Sequence, residues 1–168
     1  MSQTLEPALQ PDAVVFREAE AADLPAIVAL LADDALGAAR ERAEDPLPAC
    51  YREAFERMRA LGGHKLIVAV DPAGGPGGTV VGCLQLMLLP GLARQGLTRA
   101  QIEAVRIAAP LRGRGLGGRL ILDAVERARA AGCGLVQLTS DRSRGDAHRF
   151  YERLGFTASH VGFKMMLD

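Results

Sequence analysis

The sequence carries no excess charge of either sign: 20 lysines and arginines balance 20 aspartates and glutamates. A nucleic-acid-binding surface leaves a strong basic excess as its footprint, so that class is excluded for the protein as a whole. Cysteine is scarce; Cys50, Cys83 and Cys133 are odd in number and far apart, a spacing that suits neither a disulfide framework nor a metal site. A reducing, cytoplasmic setting without a bound metal is the expectation. No run of about 18 apolar residues occurs. The opening MSQTLEPALQPDA also lacks the basic stretch followed by an apolar stretch that marks a secretory leader. Neither membrane spanning nor secretion is expected.

What is present is ordinary globular composition, 49% apolar and 24% charged over 168 residues, a length that suits one domain with one core. Residues 1–12, with two prolines and little periodicity, read as an arm ahead of a domain over 13–168. Val14–Glu18 reads as a strand. Asp23 stands where an N-cap belongs, Pro25 suits a first helical turn, and Leu24, Ile27, Val28 and Leu31 form an apolar stripe. Tyr51, Phe55, Met58 and Leu61 predict a second helix stopped at Gly62-Gly63. Lys65–Val70 and Thr79–Leu88 predict a hairpin across a Gly- and Pro-rich turn. A third strand over Ile102–Ala108 precedes a helix over Leu116–Ala131, a buried strand over Leu135–Thr139 and a helix carrying Ala147, Phe150, Tyr151 and Leu154. Two short runs, Phe156–His160 and Phe163–Leu167, complete the pattern as a strand pair. Hairpins followed by strand-helix-strand units imply a single α/β domain, a mixed sheet with helices on both faces.

The segment Ile107-Ala-Ala-Pro-Leu-Arg-Gly-Arg-Gly-Leu-Gly-Gly118 lies between a strand end and a helix start. Its glycines leave N–H groups uncovered at a helix N-terminus, which carries roughly half a positive charge and binds phosphate. Arg112 and Arg114 add charge, and no acid occurs between Ala104 and Leu122. The plainer alternative is a Gly-rich turn that caps a helix. The order G-x-G-x-G-G over Gly113–Gly118 is neither a Walker loop, which ends in Gly-Lys-Ser or Gly-Lys-Thr, nor the dinucleotide G-x-G-x-x-G.

On these residues the sequence resembles the acetyl-CoA-dependent N-acyltransferase superfamily, GNAT. Arg112-Gly-Arg-Gly115-Leu-Gly117 matches the pyrophosphate loop of that family, and Phe150-Tyr151-Glu-Arg-Leu154-Gly155-Phe156 matches its aromatic-Tyr, Leu-Gly-Phe signature. The resemblance implies a splayed central strand pair, with backbone N–H groups of Ile107, Ala108 and Ala109 at the thioester and pantetheine. It places Arg112, Gly113, Arg114, Gly115, Leu116, Gly117 and Gly118 at the pyrophosphate of acetyl-CoA. Where many members have an Asn on the CoA arm this chain has Arg144, which either loses that contact or reaches phosphate. Arg142 shares that loop, and both arginines can equally be an exposed basic pair.

The resemblance makes Tyr151 the general acid for the departing thiolate and Glu103 the base for the amine. Packing on a helical stripe is the competing role for Tyr151, and a surface pair with Arg106 or Arg99 the competing role for Glu103. His160, in the turn between the last strands, is a minor alternative base; His148 lies off the apolar stripe and His64 begins a strand. Cys133 has no partner histidine at a usable spacing, which favours direct attack by the amine. Between Glu18 and Glu56 stand ten acids and three arginines. They favour a cationic small-molecule amine acceptor, or simply solvate two helices. A homodimer, and a non-catalytic acyl-CoA sensor of the same fold, remain open; a plain nucleotide binder is the third class.

Overall fold

The computed structural model describes residues 13–33 and 37–167. The expected arm over 1–12 therefore lies outside the described residues. The β-branched and apolar runs form a five-stranded sheet in the order β1 (Val15–Glu18), β2 (His64–Asp71), β3 (Thr79–Leu89), β4 (Arg99–Ile107), β5 (Leu135–Leu138). The first four pair antiparallel and β5 lies parallel to β4. Ile67 to Asp71 of β2 are all buried, so this strand reads as a continuous apolar run because it is covered on both faces.

The covering helices are α1 (Leu24–Ala32) and α2 (Ala49–Ala60) on one face, α4 (Leu116–Ala130) and α5 (Gly145–Arg153) on the other. Leu120, Ile121, Ala124 and Ala128 of α4 meet Ile67, Leu84, Leu86, Ala100 and Ile102 in one cluster. Ile27 and Leu30 of α1 meet Val68, Val70 and Cys83 in another. Each fully buried Leu or Ile contributes about 1.5–3 kcal/mol, and this apolar contact holds the layers together. Gly82 is required where β3 crosses β4: a Cβ there would stand 2.7 Å from Ile107 Cδ1 and 3.0 Å from the Arg106 carbonyl.

Three expectations are corrected. A single helical turn, α3 (Ala93–Gly96), with Arg94 and Gln95 at positive φ, precedes β4, which begins at Arg99 rather than Ile102. Asp23 does not cap α1 with its side chain. Its carboxylate accepts the Glu20 N–H at 2.7 Å, closing the preceding 3-10 turn (Ala21–Asp23), and receives Arg17 at 2.6 and 2.9 Å. The strand pair over 156–160 and 163–167 does not form; residues after Gly155 lie outside any strand or helix. Period-two apolar patterning makes a segment able to pair, but a strand also needs a neighbour to bond with, and among the described residues this segment pairs with none.

The Arg17–Asp23 pair ties β1 to the start of α1. Hydrogen bonding from Arg17 holds the Asp23 carboxyl below its usual value, against a burial effect that raises it. A lowered carboxyl stabilises the fold above its unfolded value of about 4 and loses that contribution as pH falls through the folded value. Asp23→Asn should therefore lower stability at pH 7 by about 1–2 kcal/mol, and the gap from wild type should narrow as pH falls below about 4, as measured by thermal melts across pH.

Candidate functional site

β4 and β5 stay together only from Arg99–Leu135 to Ile102–Leu138. Beyond Ile102 the remaining five residues of β4, Glu103 to Ile107, have no β5 partner. The divergence starts at Ala104, a non-glycine residue with φ of 53°, where the β3–β4 register also shifts between Cys83 and Gln85. An alanine in the left-handed region costs about 1–2 kcal/mol, and such strain gathers at functional sites. Two side effects of the bulge are visible: Ile102 and Val105 both face the α4 core, and the Cys83 thiol donates to the Ala104 carbonyl at 3.8 Å.

The Ala108 N–H is committed to the sheet, donating to the Val81 carbonyl at 2.9 Å. Strand alternation turns the Ile107 N–H to the opposite edge, the one facing the gap. Of the three N–H groups expected at the thioester, that of Ala108 is thus already bonded within the protein. After a 3-10 turn at Ala109–Leu111 the chain reaches Gly113 and Gly115, both with positive φ (76° and 81°). Gly115 is the left-handed N-cap of α4 and has no side-chain cap bond, so the first N–H groups of Leu116, Gly117 and Gly118 lack intrahelical partners. Gly117 and Gly118 let α4 approach Phe150 and Leu154; a Cβ at either would lie 3.6 Å from those side chains.

Arg112 makes contacts that the sequence does not announce. Its Nε donates to the Ile107 carbonyl at 2.9 Å, and its Nη2 to both the backbone carbonyl and the carboxylate of Asp33 at 2.8 Å. It clasps the loop to the end of α1, whereas Arg114 is exposed beside the open N-terminus.

Tyr151 stands on α5, half-buried against Phe150 and Phe156 with ring centroids 5.1 and 6.0 Å away. Burial pushes its phenol above the ordinary value, opposed by the charges of Arg144 and Arg106. Its hydroxyl makes no hydrogen bond among the described residues. Arg144 is thus within electrostatic reach of this phenol, at the N-terminal boundary of α5. Ser140, two residues past the last β5 pair, buries an Oγ that has no partner among the described residues. Glu103 is exposed, opposite Gln85 in the ladder.

On the other side of the bulge, a cavity of about 110 Å³ lies between α1, α2 and the sheet. Leu31, Tyr51, Ala54, Met58, Gln85 and Ala104 are among its walls, and none of its lining residues is acidic or basic. The Tyr51 hydroxyl is occupied, donating to Glu41 and accepting the Arg42 N–H, both at 2.9 Å. Several of the acids between Glu18 and Glu56 are spent on ion pairs: Glu18 with Lys65, Asp23 with Arg17, Asp33 with Arg112, and Glu44 with Arg42.

The minor candidates separate cleanly. His148 Nε2 meets the Asp141 carbonyl at 2.8 Å. His160 is exposed and bonds only to neighbouring Ser159. Arg142 is exposed, and His64 opens β2. Burial pushes the Cys83 thiol up to about 12 and raises that of Cys133, so neither is a ready thiolate. Among the described residues no cluster of His, Cys, Asp or Glu could hold a metal, and no helix is long and apolar enough to cross a membrane. Sequence reasoning did not single out Ala104, Ser140 or the cavity walls. A bulge has no side-chain signature, and the cavity draws residues from five separate elements.

Residues 33–156 match the family model for the acetyltransferase (GNAT) family. The aminoalkylphosphonate N-acetyltransferase of Salmonella typhimurium is 40% identical over 67 residues, 40% of this chain and 44% of that protein. The glucosamine 6-phosphate N-acetyltransferase of Trypanosoma brucei brucei is 41% identical over 83 residues, 49% of this chain and 54% of that protein. The chain therefore spans about half the length of these curated relatives. A solved structure of a transcriptional regulator from Bacillus halodurans superposes with TM-score 0.86 and 47% identity over 92% of this chain and 99% of that one. Family model, sheet order and the divergence of β4 from β5 agree: this chain belongs to the acetyltransferase (GNAT) family.

Proposed function

We propose that the protein transfers the acetyl group of acetyl-CoA to the primary amine of a small molecule with an apolar body. The gap that opens between β4 and β5 at Ala104 carries this reading, because it leaves backbone donors of β4 without β5 partners, and a half-buried phenol lies within electrostatic reach of Arg106 on the same strand. The residues fit the donor. The N–H groups from Gly113 to Gly118, with Arg114, would hold the pyrophosphate at a helix N-terminus. The buried, unpartnered Ser140 Oγ faces the same requirement for a polar partner. Bound there, acetyl-CoA supplies an activated thioester.

The Ile107 N–H, aimed into the gap, would stabilise the charge that develops on the carbonyl oxygen, a contribution of about 3 kcal/mol per well-placed donor. The amine attacks the carbonyl carbon, the carbon–sulfur bond breaks, and the sulfur takes the Tyr151 proton. Burial keeps that phenol protonated, while Arg144 and Arg106 ease its passage to phenolate. Glu103, exposed at the rim opposite Gln85, accepts the amine proton directly or through water. The relatives named for aminoalkylphosphonates and glucosamine 6-phosphate support an amine acceptor. The uncharged cavity walls favour an apolar body over the polyamine suggested by the acidic stretch.

The second reading is a sensor that holds acetyl-CoA without turnover, and the Bacillus halodurans neighbour, described as a transcriptional regulator, supports keeping it. A thiol-release screen separates the two. Short aliphatic or aromatic monoamines should give kcat/KM at least tenfold above polyamines and amino-sugar phosphates. Turnover of polyamines alone overturns the acceptor class; tight acetyl-CoA binding with no thiol from any amine overturns the transferase.

Tyr151→Phe should lower kcat by about 10²-fold with acetyl-CoA affinity little changed; unchanged turnover would return Tyr151 to a packing role. Arg112 poses a sharper question. If it acts as a clasp, Arg112→Ala and Asp33→Ala should both weaken acetyl-CoA binding, each by about tenfold or less. If it binds phosphate directly, Asp33→Ala should instead leave binding equal or tighter. Calorimetric dissociation constants for the two variants distinguish these outcomes.

A further inference from the structure

Besides the Met58 thioether, the lining of the cavity between α1, α2 and the sheet includes three polar side chains, those of Tyr51, Cys83 and Gln85. The hydroxyl and the thiol are already engaged: Tyr51 donates to Glu41 and accepts the Arg42 N–H, and Cys83 donates to the Ala104 carbonyl. The Gln85 carboxamide makes no hydrogen bond among the described residues. Gln85 is half-buried, and its polar atoms, unlike Ser140 Oγ, are not sealed from solvent. An accessible carboxamide in an otherwise apolar wall is the kind of group that fixes the orientation of a ligand.

Gln85 stands directly opposite Glu103 in the β3–β4 ladder. Leu86 and Ile102, the next pair, both enter the α4 core. Alternation therefore turns Gln85 and Glu103 together to the α1 face, with their Cβ atoms about 5 Å apart. Glu103 forms no ion pair among the described residues. The next polar residue of β4 on that face, Gln101, is closed off, because its Oε1 accepts Gln137 Nε2 at 2.8 Å. Ala104, which follows Glu103, is at once a cavity wall and the start of the gap. We propose that Gln85 is an acceptor-binding residue: its Oε1 accepts one N–H of the incoming amine while Glu103 accepts another, at the passage from cavity to gap. An alkylammonium carries three such donors. After one proton goes to Glu103, the nitrogen still has an N–H for Gln85 and a lone pair for the carbonyl carbon. The assignment rests on the proposed transferase reading, in which this cavity takes the acceptor. It adds that the cavity wall recognises the primary amine itself, through its nitrogen, rather than a second polar group on the acceptor.

Calorimetric titration of benzylamine into the full chain saturated with CoA, which lacks the acetyl group and cannot react, reads the contact without turnover. Gln85→Met removes the oxygen at similar volume and should weaken benzylamine binding about tenfold or more, with CoA affinity and melting temperature unchanged. Gln85→Glu keeps an oxygen acceptor and should bind benzylamine at least as tightly as wild type. Equal affinity in wild type and Gln85→Met, or a loss in Gln85→Glu as deep as in Gln85→Met, overturns the assignment. Thiol release from acetyl-CoA, measured in parallel, separates this contact from the reaction. Wild type that binds benzylamine through Gln85 but releases no thiol overturns the transferase reading and leaves the contact standing. Turnover of benzylamine at the wild-type kcat/KM in Gln85→Met does the reverse. A wild type that binds neither benzylamine nor butylamine overturns both.

Discussion

Everything in this molecule is arranged around one interrupted ladder. Two parallel strands that begin as neighbours part after Ile102, and five residues of β4 give up their β5 partners. At about 0.5–1.5 kcal/mol net per backbone hydrogen bond the sheet forgoes a few kcal/mol, and Ala104 adds its left-handed strain. The parting persists because the flanking layers fix β4 independently of β5. Ile102, Val105 and Ile107 remain in the α4 core, Ala108 returns to Val81, and Gly82 lets Ile107 lie flat across β3. The gap is a feature held open by packing on both sides.

The balanced net charge has a structural meaning that its total conceals. Many acids near the N-terminus are answered by arginines and a lysine from other elements: Arg17 for Asp23, Lys65 for Glu18, Arg112 for Asp33. Three of the ten acids of that stretch thus fasten α1 and β1 to neighbouring elements, and the cavity between α1, α2 and the sheet has no charged lining residue. By contrast Arg106 and Arg144 converge on the Tyr151 phenol, where burial and positive charge act in opposite directions. Charge fastens elements on one side of the bulge and acts on a half-buried phenol on the other.

The elements were legible where a periodic pattern coincided with burial. The stripe Leu116, Leu120, Ile121, Ala124 and Ala128 is the buried face of α4, and the glycines of 113–118 do break the chain ahead of it. Legibility failed where a residue answers to a neighbour distant in sequence. Arg112, expected at phosphate beside the glycines, also sends its guanidinium to Asp33, 79 positions earlier, a contact that no local pattern announces. Asp23 looked like a helix cap and serves a 3-10 turn and Arg17 instead. Phe163 to Leu167 carry strand periodicity without a strand, because the pattern records a capacity to pair and says nothing of which edge is offered.

The Arg112 clasp links the two halves of the site. Half-exposed on both sides, at 47% and 50%, the Arg112–Asp33 pair is worth little as a surface ion pair. Its effect is geometric: one guanidinium joins the carbonyl at the end of β4 to the end of α1. The loop with the N-terminus of α4, and α1 with the cavity beneath it, meet at this planar group. A fork with several fixed donors suits that task better than a lysine, since each bond restrains direction as well as distance. Rearrangement of the loop on binding an anion would have to break or carry along the contact with α1.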